Sequence, residues 1–380
     1  MNKRIAFCLQ RFFRNSILHY PVIGIYYINC GVSNKEIYYI DSLYWIIRFF
    51  FEFPLGLLSD KVDYRSFLVI GTIFFTLSYF FLSLGKSIYL FYLASILAGF
   101  AQCFTHNTDT SHMFRKIKKI NNLCYSDFIN LETYGNIAKN LALSLSMFIG
   151  GILSVFYPIE LIISSSAILC LLSLPFIFKM GKSPKRDKNF SFKDICSRKL
   201  YILFILYSLA ISFDYLLYWE LQIMFHQMQL STYYIALIFS GILMLSTFSG
   251  FIYKIFKTLF NELLTIMLIA IITIFIQILS ISTNCFLLFY ISIFFYGIFR
   301  GSYVPLFKTY VAHNTNSNNY NSFLSLMNVG GALCTALLFL GFGKIIDMYN
   351  IITGLCIYFC IFILLFLFTI VLNINLLKQD

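Results

Sequence analysis

Several acidic and basic side chains lie inside long apolar stretches of the sequence, where they could bind protons or charged ligands. Asp214 is one of them, and Tyr218 and Gln222 follow it at four-residue steps, whereas Glu220 falls on another face. A four-residue spacing places side chains on one face of an α-helix. A carboxyl group in an apolar stretch needs a cation or a proton as its partner. We therefore predict that Asp214 either pairs with a base on another helix or takes part in proton or cation coupling.

Arg300 is a base near the centre of a later apolar stretch, with Tyr296 and Tyr303 on its helical face. Its guanidinium group presents several donors in a fixed geometry that suits carboxylates. Two interpretations stay open at this point. Arg300 either holds an anionic group of a substrate or neutralises Asp214.

Arg48 and Glu52 form a second candidate pair, since they lie four residues apart on one predicted helix. The pair is either a structural brace, or Glu52 binds a proton with an affinity that depends on Arg48 and on bound substrate. His19 and Gln102, on two other predicted helices, are further candidates for contact with substrate or protons. For His19 the alternatives are a hydrogen bond between helices and a group that titrates near neutral pH.

The composition indicates what kind of protein holds these side chains. Of 380 residues, 59% are hydrophobic and 12% are charged, and the mean hydropathy is +0.80. Soluble domains have about 25% charged residues, so the composition predicts an all-α integral membrane protein. A helix needs about 17 apolar residues or more to cross a bilayer. The apolar runs give twelve predicted transmembrane helices: 12–30, 37–58, 66–84, 88–107, 133–156, 159–178, 201–224, 231–253, 262–282, 285–307, 322–342 and 351–373.

The basic residues predict the orientation of these helices. With both termini in the cytoplasm, cytoplasmic segments hold 22 of the 28 Lys and Arg residues, and outer loops hold three. Such a bias is typical of a multi-pass protein of the cell (inner) membrane. The net charge of +12 therefore favours anionic lipid headgroups over nucleic acid as the partner. The ten cysteines form no C-x-x-C pair, and we predict no metal site and no cofactor.

A basic connector, residues 179–200, separates two predicted six-helix bundles, residues 1–178 and residues 201–380. Weak self-similarity links the two halves. The segment Gly99-Phe-Ala-Gln102 matches Gly297-Ile-Phe-Arg300 at an offset of 198 residues, and Phe-Tyr precedes both at the same distance. This pattern predicts two pseudo-symmetric bundles that arose as parallel repeats.

A charged motif follows the second predicted helix, with Gly56, Asp60, Lys61 and Arg65 in the pattern G-x-L-S-D-x-x-x-x-R. The pattern resembles the loop between the second and third helices of major facilitator superfamily transporters. The resemblance implies that Gly56 allows close approach to helix 11, that Asp60 caps a neighbouring helix, and that Arg65 completes a charge cluster. Together with Lys61 these residues would form a conformational-switch loop. The family usually has glycine where this chain has Asp63.

The resemblance implies a secondary active transporter that works by alternating access, as a monomer, on a small-molecule substrate and H⁺. We predict proton-coupled export of a toxic or antimicrobial-like compound. The alternatives are an uptake permease for a nutrient such as a sugar, an amino acid or a small peptide, and a membrane-embedded lipid-modifying enzyme. The enzyme alternative depends on the polar cluster of His106, Asp109 and His112 alone, so we predict that the chain is not an enzyme.

Overall fold

The described part of the chain is built from α-helices. The structure is a computed structural model, and it describes residues 3–59, 62–85, 87–106, 108–109, 112, 125–181, 198–257, 262–283, 286–314, 320–349, 353–354 and 356–364. Within these ranges there is no strand. The helices are α1 (Lys3–Arg14), α2 (Ile23–Asn29), α3 (Asn34–Ser59), α4 (Tyr64–Leu84), α5 (Ile88–Thr105), α6 (Tyr125–Phe156), α7 (Ile159–Leu171), α8 (Leu174–Lys179), α9 (Arg198–Gln227), α10 (Thr232–Lys257), α11 (Glu262–Thr283), α12 (Phe286–Asn314) and α13 (Tyr320–Met348).

Several of these helices are long and apolar enough to cross a membrane. The described residues contain seven such segments, with mean hydropathy between 1.2 and 2.3. Two shorter apolar segments lie within α10 and α11. The prediction of an all-α integral membrane protein is confirmed, while the count of twelve spans stays a prediction. The seven segments are Tyr64–Leu84, Ile88–Thr105, Tyr134–Phe156, Ile159–Lys179, Phe204–His226, Leu287–Val304 and Leu324–Met348.

The first predicted span, 12–30, differs from the structure because the helix is interrupted. Helix α1 ends at Arg14, a 3-10 turn covers Tyr20–Val22, and α2 begins at Ile23. Asn15 donates a side-chain hydrogen bond to the Arg11 carbonyl at 2.7 Å, which competes with continued helix formation. Pro21 then provides no backbone donor. The freed backbone N–H of Leu18 is satisfied by Ser166 Oγ at 3.0 Å.

Backbone contacts divide the chain into two compact units. The first comprises Met1–Ser33, Leu43–Asn189 and Leu221–Gly241. The second comprises Asn34–Ser42, Phe190–Glu220 and Ile242–Asp380. The predicted division into bundles 1–178 and 201–380 stays a prediction.

In the first unit, helices α3 and α5 approach closely at Gly99. A Cβ atom on Gly99 would lie 2.9 Å from Ile47 Cβ and 3.0 Å from the carbonyl oxygen of Tyr44. Real Cβ atoms rarely come this close to other atoms, so only glycine fits without displacing α3. Gly99 therefore sets the distance between the two helices.

The second unit repeats this packing between α10 and α12. A Cβ atom on Gly297 would lie 3.1 Å from Leu245 Cβ and 3.3 Å from the carbonyl oxygen of Ile242. Each of these three positions is 198 residues after its equivalent in the first unit, which is the offset seen in the sequence. The local packing thus supports the predicted internal repeat.

We expect the same substitution to have opposite effects at two helical glycines. Gly99→Ala forces α3 and α5 apart, and such overpacking costs roughly 1–3 kcal/mol. At Gly241, in α10, no described atom outside the adjacent backbone of the same helix lies within 4 Å of the position that a Cβ would take, so Gly241→Ala gains up to about 1 kcal/mol of helix propensity. Thermal unfolding of the purified variants in detergent measures both effects. A Gly99→Ala variant at least as stable as Gly241→Ala would contradict the close approach.

Candidate functional site

Helix α9 is the most enclosed of the apolar segments, and it carries the candidate site. Of its segment Phe204–His226, 83% of residues are buried within the protein, whereas the other six segments have 33–50%. It also has the lowest mean hydropathy of the seven, 1.2. Protein rather than lipid therefore surrounds α9, and this environment tolerates polar side chains that hydrocarbon would not.

Asp214 lies on α9, and its carboxylate is surrounded by side-chain donors from α12. The Tyr296 hydroxyl donates to Asp214 Oδ1 at 3.0 Å, and the Tyr303 hydroxyl donates to Oδ2 at 3.2 Å. Arg300 Nε lies 3.8 Å from Oδ1, an ion-pair distance. The carboxylate thus has one cation and two hydroxyl donors, which compensate for its burial. The pairing of Asp214 with a base on another helix is therefore seen in the structure.

Arg300 is the more accessible member of this pair. Its side chain is 14% exposed, against 6% for Asp214. Its Nη1 donates to the Tyr296 hydroxyl at 2.9 Å, and its Cζ atom lies 5.6 Å from the centre of the Tyr218 ring. The guanidinium is thereby held by an aromatic face and a hydroxyl as well as by the carboxylate.

Further aromatic rings pack around the tyrosines of the site and fix them. The Tyr303 ring stacks on Phe299 at 5.2 Å between centres, and Phe299 contacts Phe213 of α9 edge to face. The Tyr207 hydroxyl donates to Asn328 Oδ1 at 3.0 Å, which ties α9 to α13. An anionic group of a ligand can replace Asp214 as the partner of Arg300, and a cationic group can replace Arg300 as the partner of Asp214. The tyrosine rings offer faces for an apolar or aromatic part of the ligand.

Gln222 does not join Asp214 and Tyr218 in this cluster. Its Oε1 accepts a hydrogen bond from the backbone N–H of Gly24 at 2.6 Å, and its Nε2 donates to the Tyr20 carbonyl at 3.3 Å. Both partners belong to the interrupted first predicted span. Gln222 therefore satisfies backbone groups that the break in this span leaves unpaired.

Arg48 and Glu52 form the predicted ion pair on α3, with a third member from the end of α5. Arg48 Nη2 lies 2.8 Å from Glu52 Oε2, and His106 Nδ1 lies 2.5 Å from Glu52 Oε1. Arg48 Cζ also sits 4.6 Å from the centre of the Trp45 ring. Arg48 and Glu52 are both buried, while the His106 side chain is 28% exposed.

The two remaining single candidates have different environments. His19 is buried, its Nδ1 lies 3.0 Å from Ser166 Oγ, and its ring meets Tyr79 edge to face. These contacts agree with the hydrogen-bond interpretation of His19. Gln102 is half-buried on α5, and its role stays a prediction.

The predicted switch loop lies partly outside the described residues, which do not include Asp60 and Lys61. Gly56 lies in the last turn of α3, where its carbonyl accepts a hydrogen bond from Ser59 Oγ at 2.7 Å. Asp63 precedes α4, and its carboxylate accepts from the backbone N–H of Arg65 at 3.3 Å. The acid that replaces the family's glycine is thus the N-cap of α4.

The structure also shows buried charged groups that the sequence analysis did not name as contacts for substrate or protons. Asp109 is buried and pairs with Arg11 at 2.9 Å and with Arg14 at 3.1 Å, both near the end of α1. Glu220 is fully buried on α9 and accepts a hydrogen bond from the Tyr38 hydroxyl at 3.3 Å. The sequence already indicated that Glu220 lacks an ion-pair partner on its own helix, because no base lies three or four residues away from it.

Comparisons with known proteins identify the fold. The family model described as Major Facilitator Superfamily matches residues 5–108 and 134–339. An uncharacterized MFS-type transporter of Methanocaldococcus jannaschii is 26% identical over 141 residues, which are 37% of this chain and 35% of that protein. The chain thus matches about a third of the length of this curated relative.

Solved structures of transporters share the fold over nearly their whole length. A variant of the nucleoside transporter NupG gives a TM-score of 0.74 at 15% identity. The match covers 98% of this chain and 100% of the NupG chain. The human organic anion transporter TETRAN gives 0.70 at 13% identity, over 97% and 99% of the two chains. A D-xylose–proton symporter gives 0.75 at 14% identity, over 96% of both chains.

Proposed function

Since this chain belongs to the Major Facilitator Superfamily, we propose that it exchanges a small molecule for protons across the cell membrane by alternating access. A secondary transporter, rather than an enzyme, is what the family and the similar structures support. The finer statement that protons drive the transport, and that the substrate moves outward, is our proposal. The similar structures carry substrates of several kinds, as their names say, so the fold itself selects no substrate.

The observation that carries the proposal is the Asp214–Arg300 pair within its ring of tyrosines. Ionisable side chains inside membrane-spanning helices are rare and commonly mark substrate or ion pathways, and this pair joins α9 to α12. Its more accessible member, Arg300, can bind an anionic group of a substrate, and a cationic group would be drawn to Asp214. We propose a small amphipathic substrate with an ionised group, whose apolar part lies against Tyr218 and Tyr296.

We propose export rather than uptake because the loops between the spans are small and the spans carry acids that suit proton exchange. In an exporter of this kind the inward proton gradient drives the outward movement of substrate. Uptake of a nutrient together with protons would use the same site, and the vesicle experiment below distinguishes it from export.

Everted membrane vesicles with an acidic interior provide the test. A panel of candidate compounds is added while a pH-sensitive dye reports the proton gradient. We expect one or more compounds to dissipate the gradient only in vesicles that contain the protein, and their accumulation in the vesicles to stop when an uncoupler is added. Accumulation that is unchanged by the uncoupler would contradict proton coupling. Alkalinisation outside right-side-out vesicles on compound addition would show uptake instead of export.

A further inference from the structure

Glu220 has an unusual environment for an acid in an apolar helix. Its residue exposure is 0%. One carboxyl oxygen, Oε1, accepts a hydrogen bond from the Tyr38 hydroxyl at 3.3 Å. The other, Oε2, is buried and has no hydrogen-bond partner in the described part of the chain. Within the same part of the chain, no base lies within ion-pair distance of Glu220.

The contact between Glu220 and Tyr38 is part of a tightly packed surface in the second unit. The Tyr38 ring meets Phe339 and Phe342 of α13 edge to face, with ring centres 5.6 and 5.3 Å apart. Next to Glu220, Trp219 Nε1 donates to Asp41 Oδ2 at 3.0 Å. The first two turns of α3 are therefore packed onto α9 and α13 beside the fully buried Glu220.

An ionised carboxylate is strongly disfavoured at such a position. Its burial removes the hydration of a full charge, and the single long hydrogen bond from a neutral hydroxyl replaces little of that hydration. A neutral carboxylic acid needs far less compensation, and its O–H group can donate as well as accept. The closed packing of α3 on α9 thus favours the protonated form of Glu220.

We propose that Glu220 is a proton-binding site of this transporter, and that its protonation allows the start of α3 to close onto α9 through Tyr38. This inference rests on the proposed proton-coupled transport. When α3 and α9 separate, water reaches Glu220 and the carboxyl releases its proton to that water. When a proton from the surrounding solution binds the carboxylate, the neutral acid can be buried again and the surface closes.

The two acids of α9 would then have different tasks. Arg300 and two tyrosine hydroxyls compensate for the burial of Asp214, so its carboxylate can stay ionised in the closed packing. Glu220 has no such compensation, so its charge depends on whether the contact with Tyr38 is open or closed. Asp214 and Arg300 contact the substrate, and Glu220 binds the proton.

Other charged groups near this contact already have partners or are exposed. On α3, Asp41 accepts from the Trp219 indole, and Lys35 pairs with Asp347 of α13 at 2.7 Å. Lys344 of α13 is exposed. Asp41 is the only one of these that contacts a residue next to Glu220 in the described structure, so it needs its own control.

Trp219 provides a reporter beside Glu220. The chain has two tryptophans, so Trp45→Phe leaves Trp219 as the only one in the purified, full-length protein in detergent micelles. We expect its emission to shift to longer wavelength as the pH is raised, because ionisation of Glu220 opens the contact and hydrates the indole. In Glu220→Gln, a permanently neutral isostere, the short-wavelength emission should persist at every pH. Glu220→Asp should retain a pH-dependent shift.

Two control variants identify the titrating group. Asp214→Asn and Asp41→Asn should both keep the transition. A transition that persists unchanged in Glu220→Gln, or that disappears only in Asp41→Asn, would overturn the proposal. Infrared difference spectra give an independent measurement, because the carbonyl stretch of a protonated carboxylic acid should be lost in Glu220→Gln. If the transition follows Glu220 but the vesicles show no proton-coupled transport, then the proposed function fails while the proton-binding site stands.

Discussion

Replacing Asp214 with asparagine is expected to reduce transport by about a hundredfold or more. The substitution keeps the size of the side chain but removes the charge that compensates Arg300 across α9 and α12. Removing one partner of a buried charge pair at a binding site costs roughly 2–5 kcal/mol of binding free energy, and about 1.4 kcal/mol corresponds to a factor of ten in an equilibrium. The measurement is the initial rate of substrate movement in vesicles, normalised to the amount of folded protein.

A double variant separates the structural task of the pair from its contact with substrate. Arg300→Met alone should be as damaging as Asp214→Asn, because it leaves the carboxylate without a cation. The combination of Asp214→Asn with Arg300→Met removes both charges, so thermal stability should recover much of the loss. Transport should not recover, since no charged group remains to bind the substrate.

The matched control is Asp347→Asn, which removes a carboxylate that is 51% exposed and pairs with Lys35. Exposed pairs contribute little to stability, so this variant should transport and unfold like the parent. Normal transport by the double variant would show that the Asp214–Arg300 pair is structural only. That result would remove the observation on which the proposed function rests.

The sequence predicted the main elements because apolar segment length and helical spacing are local properties. The predicted segments 66–84 and 88–107 agree with α4 and α5 to within a few residues. The first span was predicted as one helix, 12–30, from its overall apolar character. Asn15 and Pro21 interrupt the helix locally, but the Leu18 N–H that the break frees is satisfied by Ser166, which lies 148 residues away. No local pattern contains that information.

The candidate site was predictable in part for the same reason. Spacing correctly placed Asp214 and Tyr218 on one face of α9, and Arg300 with Tyr296 and Tyr303 on one face of α12. The same spacing also placed Gln222 with Asp214, but its contacts are with Tyr20 and Gly24. The direction of a side chain on a helix follows from spacing, while its partner follows from tertiary packing.

The environment of Glu220 could not be derived from spacing, because it depends on Tyr38, 182 residues away. Sequence alone shows only that the acid has no base on its own helix. The structure adds the decisive fact that no base from another described helix replaces it. An acid without a partner in the sequence is therefore a useful signal, and the structure decides whether it is compensated, as Asp214 is, or not.

A large loss of stability is expected from Glu52→Leu. This substitution leaves the guanidinium of Arg48, a residue with 3% exposure, without its carboxylate and removes the contact of Glu52 with His106. Loss of one partner of a buried pair costs roughly 3–5 kcal/mol. The free energy of unfolding can be measured by titrating the protein in mixed micelles with a denaturing detergent.

A double-mutant cycle on the same helix tests whether this cost comes from an uncompensated charge. Arg48→Met combined with Glu52→Leu removes both charges and keeps apolar bulk beside Trp45. We expect the double variant to lose clearly less stability than the summed losses of the two single variants. Each single variant leaves one buried charge without its partner, whereas the double variant leaves no charge of this pair. Losses that simply add would show that Arg48 and Glu52 act independently, which the 2.8 Å contact between them argues against. If the stable double variant also transports with its proton coupling intact, Glu52 is a brace for α3 and not a proton carrier.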